Sequence, residues 1–353
     1  MDFKKIFIKD ACPTKIGGQA VLEGIMMKGE DRTAVVIRGD KGRMYIKTEK
    51  LAARSRAAEI PIVRGVYIFV TTLMTGMKTL IYSAEMLEQF DDESGSGDSP
   101  VDADATADGN GNAKGKNKGE GGIPFGVMIA FSVAIALAFV VGIFIIVPTV
   151  VVNFLGTYTE NAVLLNLFEG VFRIVLFVAY IALISRMKDI QTTFAFHGAE
   201  HKTIHCFESG LPLTPENADR FETLHPRCGT SFLMFVMIIA LLLFSLLGWP
   251  NLFIRIASRL LFIPLIAGLS YELLRYAGSS DALLVRILSI PGLLLQKITT
   301  CVPNASQLEV AIAALKAVIV PPETPEIEGF CDPEGRLIPD EDSLEWQSAL
   351  EGF

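Results

Sequence analysis

FGVMIAFSVAIALAFVVGIFIIVPTVVVNF, the stretch from Phe125 to Phe154, decides the fold class, because it contains no charged side chain. A helix of about 20 apolar residues crosses the hydrocarbon core of a bilayer. The stretch is longer than that, which a tilt or a kink at Pro148 would accommodate. We therefore predict that it forms the first membrane-spanning helix.

Three more apolar segments have the length of membrane spans, at 161–184, 230–249 and 252–271. Only short links separate the first span from the second and the third from the fourth. Lysines and arginines concentrate in the other loops and in the N-terminal region, and the positive-inside rule makes that side cytoplasmic. The sequence thus predicts a mainly α-helical, multi-pass membrane protein with four spans in residues 123–278 and both termini in the cytoplasm.

Charged residues interrupt two of these predicted spans. A charge left unpaired in hydrocarbon costs several kcal/mol, so such residues usually pair inside the helix bundle. At 1.5 Å per residue, the charges of the second and fourth spans fall at overlapping depths. We therefore predict an ion pair between Glu169 and Arg173, or between Glu169 and Arg255 or Arg259. The alternative is that the last two arginines extend outward to the lipid headgroups.

The composition excludes several other classes of protein. Hydrophobic residues make up 51% of the 353 residues and charged residues 20%, which is too apolar for an ordinary soluble domain. The net charge of −8 argues against a nucleic-acid-binding protein. Five cysteines without a CxxC pair favour a reducing compartment over a disulfide framework. Because no long apolar stretch precedes residue 60, we expect no cleavable signal peptide.

The segments around the predicted spans differ in pattern. Residues 1–59 alternate short apolar and polar runs, which predict a β-rich cytoplasmic element of three short strands. Residues 60–90 predict an interfacial or re-entrant amphipathic helix, because their uncharged core is too short for a span. Residues 91–122, with six Asp and eight Gly, predict a disordered acidic linker. Residues 279–353 predict cytoplasmic amphipathic helices, broken at Pro291, that pack on the cytoplasmic domain and precede an acidic tail.

All four histidines of the chain lie in the predicted cytoplasmic loop 185–229. At about 100° per residue on a helix, one stripe of polar side chains would comprise His197, His201, His205 and Glu208. Imidazoles one turn apart can bind a single divalent metal, for which zinc is the expected ion. The remaining ligand positions have four candidates, which are His205, His225, Glu208 and Cys228.

The segment from His197 to His201 also has the pattern HxxEH, in which two helical histidines bind zinc and the glutamate accepts a proton from the activated water. This assigns Glu200 as the general base. A motif this short also arises by chance, so the neighbouring ligands support metal binding more than they support peptidase chemistry. We predict a metal-dependent hydrolase in which His197, His201 and one further ligand hold the metal.

Other interpretations remain open at this point. The histidines could donate hydrogen bonds at the bilayer surface without any metal. Four protein ligands would close a tetrahedral zinc site and suit a non-enzymatic membrane factor, whereas three ligands and a water suit catalysis. Metal transport ranks last, because the predicted spans contain no histidine and no paired acids. The lipid bilayer and an unidentified substrate are the expected partners. The sequence leaves open whether the protein forms a homo-oligomer.

Several segments resemble the YqhQ-like bacterial membrane proteins, a family of unknown function. The resemblance rests on GGQAVLEGIMMKG (17–29), PIVRGVYIFVTTLMTGMKTL (61–80), FHGAEHKTIHCFE (196–208), HPRCGTSF (225–232), PGLLLQKITT (291–300) and SQLEVAIAAL (306–315). It covers nearly the whole chain except the linker and the acidic tail. It implies a metal-dependent enzyme of the bacterial cytoplasmic membrane and a dispensable linker, but it assigns no catalytic residue.

Overall fold

The computed structural model describes residues 6, 12, 14–39, 43–51, 59–95, 125–159, 161–248, 250–278, 283–332 and 337–338. Within these residues the chain is mainly helical and has one small antiparallel sheet, as the sequence predicts. Most of the predicted linker and the end of the acidic tail lie outside the described residues.

The sheet consists of β1 (Gly17–Val21), β2 (Gly24–Lys28), β3 (Arg32–Arg38), β4 (Met44–Lys50) and β5 (Glu328–Cys331), which are hydrogen-bonded in that order. The prediction of three strands was wrong in two respects. A tight turn, with Glu23 at φ 47°, divides the first predicted strand into β1 and β2. The C-terminal segment adds β5 to the free edge of β4, a pairing that a four-residue strand does not reveal in sequence.

Eleven α-helices fall within the described residues. They are α1 (Val63–Gly95), α2 (Phe125–Val141), α3 (Val147–Leu155), α4 (Ala162–Ile184), α5 (Lys188–Glu208), α6 (Pro215–Asp219), α7 (Gly229–Ser245), α8 (Leu252–Leu261), α9 (Ile263–Gly278), α10 (Leu283–Thr299) and α11 (Ala305–Val318). Helix α1 extends to Gly95, past the predicted linker boundary at residue 91.

The apolar helices confirm a coarse part of the membrane prediction. By length and composition, 131–155 and α4 could each cross a membrane, and α8 with α9 could make a third span bent by 44°. The predicted third span corresponds to the 17-residue α7, which is shorter. The predicted fourth span is broken at Phe262 instead of continuous.

Helix α10 is continuous through Pro291, so the predicted break there was wrong.

The first predicted span contains a π-helical turn, Gly142–Ile146, between α2 and α3. Pro148 has no N–H group, so it cannot serve as a donor to a carbonyl of the preceding turn. The carbonyl of Phe144 instead accepts a hydrogen bond from Arg173 Nε of α4, at 2.7 Å. A charged side chain of the neighbouring helix thus satisfies a backbone group next to the proline.

Helices cover both faces of the sheet and thereby position α5. Helix α11 begins with a capping box between Asn304 and Gln307, and its alanine-rich side joins the same core as α5 and the inner sheet residues. On the other face, Met86 and Phe90 near the end of α1 pack against Ile37. Helix α5 is therefore held between the sheet and the loop that leads to α7.

Candidate functional site

The predicted stripe lies on α5, which is a single helix through the whole histidine-rich segment. The rings of His197 and His201 are neighbours, with centroids 4.4 Å apart. His201 and His205 are buried, whereas His197 is half-buried. The loop 220–228 and the end of α10 close over this side of the helix and supply the other polar groups.

Two backbone carbonyls orient the first two histidines. His197 Nδ1 lies 2.8 Å from the carbonyl oxygen of Thr299, and His201 Nδ1 lies 2.5 Å from that of Thr223. A carbonyl only accepts, so each Nδ1 carries the proton and each Nε2 keeps its lone pair. This is the arrangement by which ligating histidines are commonly fixed.

Cys228 completes a set of three ligand atoms. Its Sγ lies 3.1 Å from His197 Nε2, and one ligand atom from each of His197, His201 and Cys228 lies within 4.8 Å of the others. Ligands of a tetrahedral zinc are about 3 to 4 Å apart, given Zn–N near 2.0 Å and Zn–S near 2.3 Å. Among the described residues, the buried His201 Nε2 has no hydrogen-bond partner. The three residues therefore offer ligand types that could hold one divalent metal.

The environment of Cys228 favours its thiolate. Burial opposes ionisation, but His201 and hydrogen bonds from the Thr230 hydroxyl and N–H outweigh it and lower the pKa of Cys228. The residue is also the N-cap of α7, where the helix dipole stabilises a negative charge. The sequence ranked Cys228 only as a candidate ligand, because its approach to α5 depends on the loop.

The other two histidines form a separate cluster with Glu208. His205 Nε2 donates to the carbonyl of Leu224 at 3.0 Å, and the rings of His205 and His225 are 4.5 Å apart. Glu208 accepts hydrogen bonds from Arg227 and from the backbone N–H and hydroxyl of Thr14, at 2.8 and 3.0 Å. These residues tie the N-terminal segment and the loop to α5, and they are not grouped with the three ligand atoms.

Glu200 is buried on the same helix, next to the sheet. Burial is the main cause that raises its pKa to about 7, against the opposing effects of His197 and a hydrogen bond from the Gly18 backbone. A Cβ on Gly18 would lie 3.0 Å from the carboxyl carbon of Glu200. A glycine in β1 therefore leaves the space that the glutamate occupies.

Several contributors to this site carry no recognisable signal in sequence. The carbonyls of Thr223 and Thr299 act through the backbone, and Gly18 acts through a missing side chain. Lys202 of the same helix is hydrogen-bonded to Asp219 at 2.8 Å.

A second polar cluster joins the charged residues of the apolar helices. Glu169 accepts hydrogen bonds from Arg173 at 2.8 Å, from Arg259 at 2.7 Å and from Thr149 at 2.8 Å. Arg255 donates to Asn153 at 2.9 Å. Glu169 and both of its arginine partners are buried, so the charges face the interior of the helix bundle.

Comparisons with known proteins agree with the resemblance described above. A family model for a "Protein of unknown function (DUF1385)" matches residues 60–320. The chain is also 30% identical over 323 residues to the "Uncharacterized protein YqhQ" of Bacillus subtilis (strain 168), covering 88% of this chain and 94% of that protein. No solved structure matches the chain. The chain therefore belongs to the YqhQ-like, DUF1385 family of proteins of unknown function.

Proposed function

We propose that the protein is a metal-dependent hydrolase of the bacterial cytoplasmic membrane, with zinc held by His197, His201 and Cys228. One observation carries this proposal. Both imidazoles are fixed through Nδ1 by backbone carbonyls, so their Nε2 atoms converge with Cys228 Sγ. Three protein ligands leave the fourth position of a tetrahedral ion open, as catalytic sites require.

In this proposal the chain's own residues position the site and accept the proton. A bound zinc ion would supply Lewis acidity and lower the pKa of a water molecule. Glu200 would accept a proton from the attacking water, and its pKa of about 7 suits a general base at neutral pH. His205, His225 and Glu208 hold the loop that carries Cys228, so they act as positioning residues.

The proposal includes a membrane topology of four spans with both termini in the cytoplasm. The bent pair α8–α9 and the short α7 would complete the two longer spans. This topology leaves the sheet, α5 and the three ligands on the cytoplasmic side. The inward-facing charges of Glu169, Arg173 and Arg259 support burial of that cluster inside a bundle.

Metal analysis of the detergent-purified protein tests the site. We expect about one zinc per chain, reduced to about a tenth or less in His201→Ala and in Cys228→Ala. Cys206→Ala is the matched control, because it removes a thiol of the same helix that lies outside the group of three ligand atoms. Full metal content in both ligand variants would refute the site.

Glu200→Gln separates a catalytic metal from a structural one. The amide cannot accept the proton, so hydrolytic turnover should be lost while metal content stays at the wild-type level. Equal turnover in Glu200→Gln and wild type would remove the role of Glu200 as general base. Metal-loaded wild type without turnover would leave the metal a structural role in a non-enzymatic membrane factor.

The contact between Cys228 and His197 favours a second candidate, a thiol hydrolase without metal. A thiolate at a helix N-terminus, 3.1 Å from an imidazole, is the arrangement of a nucleophilic cysteine. Its sulfur would attack a carbonyl carbon to form a thioester, while His197 protonates the leaving group. Water would then release the acid and restore the thiol.

Alkylation by iodoacetamide distinguishes the two candidates. A metal-bound thiolate should react slowly until a chelator removes the ion, whereas a free Cys228–His197 pair should react rapidly with or without chelator. Cys12, which is exposed, is the internal control for reagent activity in the same digest.

A further inference from the structure

A cavity of about 470 Å³ lies between α1, α7 and α9. Its walls are almost entirely apolar and include Phe69, Leu73, Met77, Phe232 and Leu274. Leu73 and Met77 are also partly exposed, so the cavity is a groove with one open side. Its volume lies within the range of sites that bind small ligands.

Two residues of the groove lining lie next to the candidate site along the chain. Gln19 and Gly229 both line the groove. Gly229 directly follows Cys228, and Gln19 directly follows Gly18, whose missing side chain makes room for Glu200. The groove lining therefore includes the residue after Cys228, a proposed metal ligand. It also includes the residue after Gly18, which lies against Glu200, the proposed base.

The apolar lining indicates which class of ligand fits the groove. An extended peptide would bury one backbone amide per residue in the groove, and each amide left without a hydrogen-bond partner costs free energy. A helix is about 10 Å wide with its side chains and needs a broader channel. An alkyl chain has no polar group to satisfy, and it can enter sideways from hydrocarbon beside the apolar helices.

We infer that the groove binds one acyl chain of a membrane glycerolipid and that such a lipid is the substrate class of the hydrolase, an inference that rests on the proposed function. The ester carbonyl is the first polar group beyond an acyl chain, so it reaches the end bounded by Gln19 and Gly229. Hydrolysis breaks the acyl C–O bond. Water supplies OH to the acyl carbon and H to the glycerol oxygen.

Photolabelling of the full-length protein tests the groove without using turnover. The protein is reconstituted in vesicles of phosphatidylglycerol and phosphatidylethanolamine that carry a diazirine in one acyl chain, and adducts are mapped by mass spectrometry. We expect adducts at Phe232 and Leu274 that fall about fivefold or more in Thr72→Trp, because Thr72 lines the groove. Met74→Trp, an exposed position of the same helix outside the lining, is the control and should label like wild type.

Thermal unfolding verifies that each variant is folded, and Thr72→Phe provides a milder version of the same obstruction. Equal labelling of the groove residues in the Thr72 variants and in Met74→Trp would overturn the inference. Cross-links between two copies of the chain that Thr72→Trp abolishes, without lipid adducts in the groove, would assign the groove to a second copy and would also overturn it.

Two further variants separate this inference from the proposed function. Cys228→Ala should keep the groove adducts, because the groove does not depend on the metal. If labelling is intact but neither wild type nor any variant contains metal, only the metal site is refuted. Release of fatty acid from the same vesicles should stop in Glu200→Gln and fall about tenfold in Thr72→Trp. Metal-dependent hydrolysis of other esters, with no release of fatty acid from the vesicles, would refute only the lipid substrate.

Discussion

The nitrogen that each histidine of α5 leaves available separates these three imidazoles into two groups. His197 and His201 use Nδ1 for a backbone carbonyl, so Nε2 is available next to Cys228. His205 uses Nε2 for the carbonyl of Leu224, which commits that nitrogen to a hydrogen bond. Histidines at regular helical spacing therefore have two different arrangements. The carbonyls of the loop 220–228 determine which nitrogen of His201 and of His205 is hydrogen-bonded.

The carboxylate of Glu208 provides a prediction of pH dependence. Burial alone would raise its pKa, but contacts with His225, Thr14 and Arg227 outweigh burial and lower the pKa to about 2. A carboxyl group whose pKa is depressed in the folded state stabilises the fold above its unfolded pKa, which is about 4.3, and loses that effect as the pH falls toward the folded value. Wild type should thus be more stable than Glu208→Gln at pH 7, and the difference should shrink at about pH 3.5. Thermal unfolding of both proteins in detergent measures it, and a difference independent of pH would contradict the assignment.

At the scale of elements, the crossing of α5 with the end of α10 places Thr299 against His197. Gly198 makes this crossing possible, because a Cβ there would lie 2.1 Å from the carbonyl oxygen of Cys301. The N–H of Cys301 also donates to the carbonyl of Phe194 at 2.9 Å. The backbones of the two segments are in direct contact.

We expect Gly198→Ala to destabilise the protein by about 1 to 3 kcal/mol, because the added methyl group must push the two segments apart. The same displacement should lengthen the contact between His197 and Thr299 and reduce metal content. Gly229→Ala is the matched control, since nothing lies within 4 Å of a Cβ at that position. Equal melting temperatures for the two variants would show that the crossing tolerates a side chain.

The cluster around Glu169 connects α3, α4 and α8 through one carboxylate. Glu169→Gln would leave two buried guanidinium groups without their counter-charge, which costs about 3 to 5 kcal/mol. The double variant with Arg259→Gln should cost less than the sum of the two single changes. Coupling between Glu169 and Arg255 should be smaller, because Arg255 donates to Asn153. Unfolding in detergent gives the four free energies, and strict additivity with Arg259 would contradict the ion pair.

At the scale of the whole molecule, the two ends of the chain meet in one sheet. Strand β5 pairs with β4, and the buried Arg32 of β3 donates to the carbonyls of Pro321, Pro322 and Thr324. The C-terminal segment is therefore part of the sheet and its core.

Truncation tests this closure. A chain ending at Ile327 lacks β5 and should be markedly less stable, with faster protease cleavage of the N-terminal sheet, because the edge of β4 is exposed. A chain ending at Ile338 keeps every described contact of the tail and is the control. Similar cleavage of the two truncated proteins would mean that β5 contributes little.

Sequence reasoning was most successful where structure is local. Apolar runs and helical periodicity predicted a mainly helical chain with apolar helices long enough for spans, and alternation predicted the N-terminal sheet. It was unsuccessful where distant segments meet. The pairing of β5, the bend at Phe262 and the continuity of α10 through Pro291 depend on packing partners. The position of Cys228 beside His197 likewise depends on a loop, whereas the stripe on α5 follows from spacing alone.

The meeting of β4 with β5 has a consequence for the order of synthesis. The ribosome completes β1 to β4 first, but their partner strand emerges only after all the apolar helices have been made. During that interval β4 has an open edge, which is prone to pair with other chains. Gly18, which contacts Glu200, is also made before these apolar helices, whereas Thr299, which contacts His197, is made after them. The candidate site can therefore assemble only after translation is nearly complete, once the helices between Gly18 and Thr299 have been made.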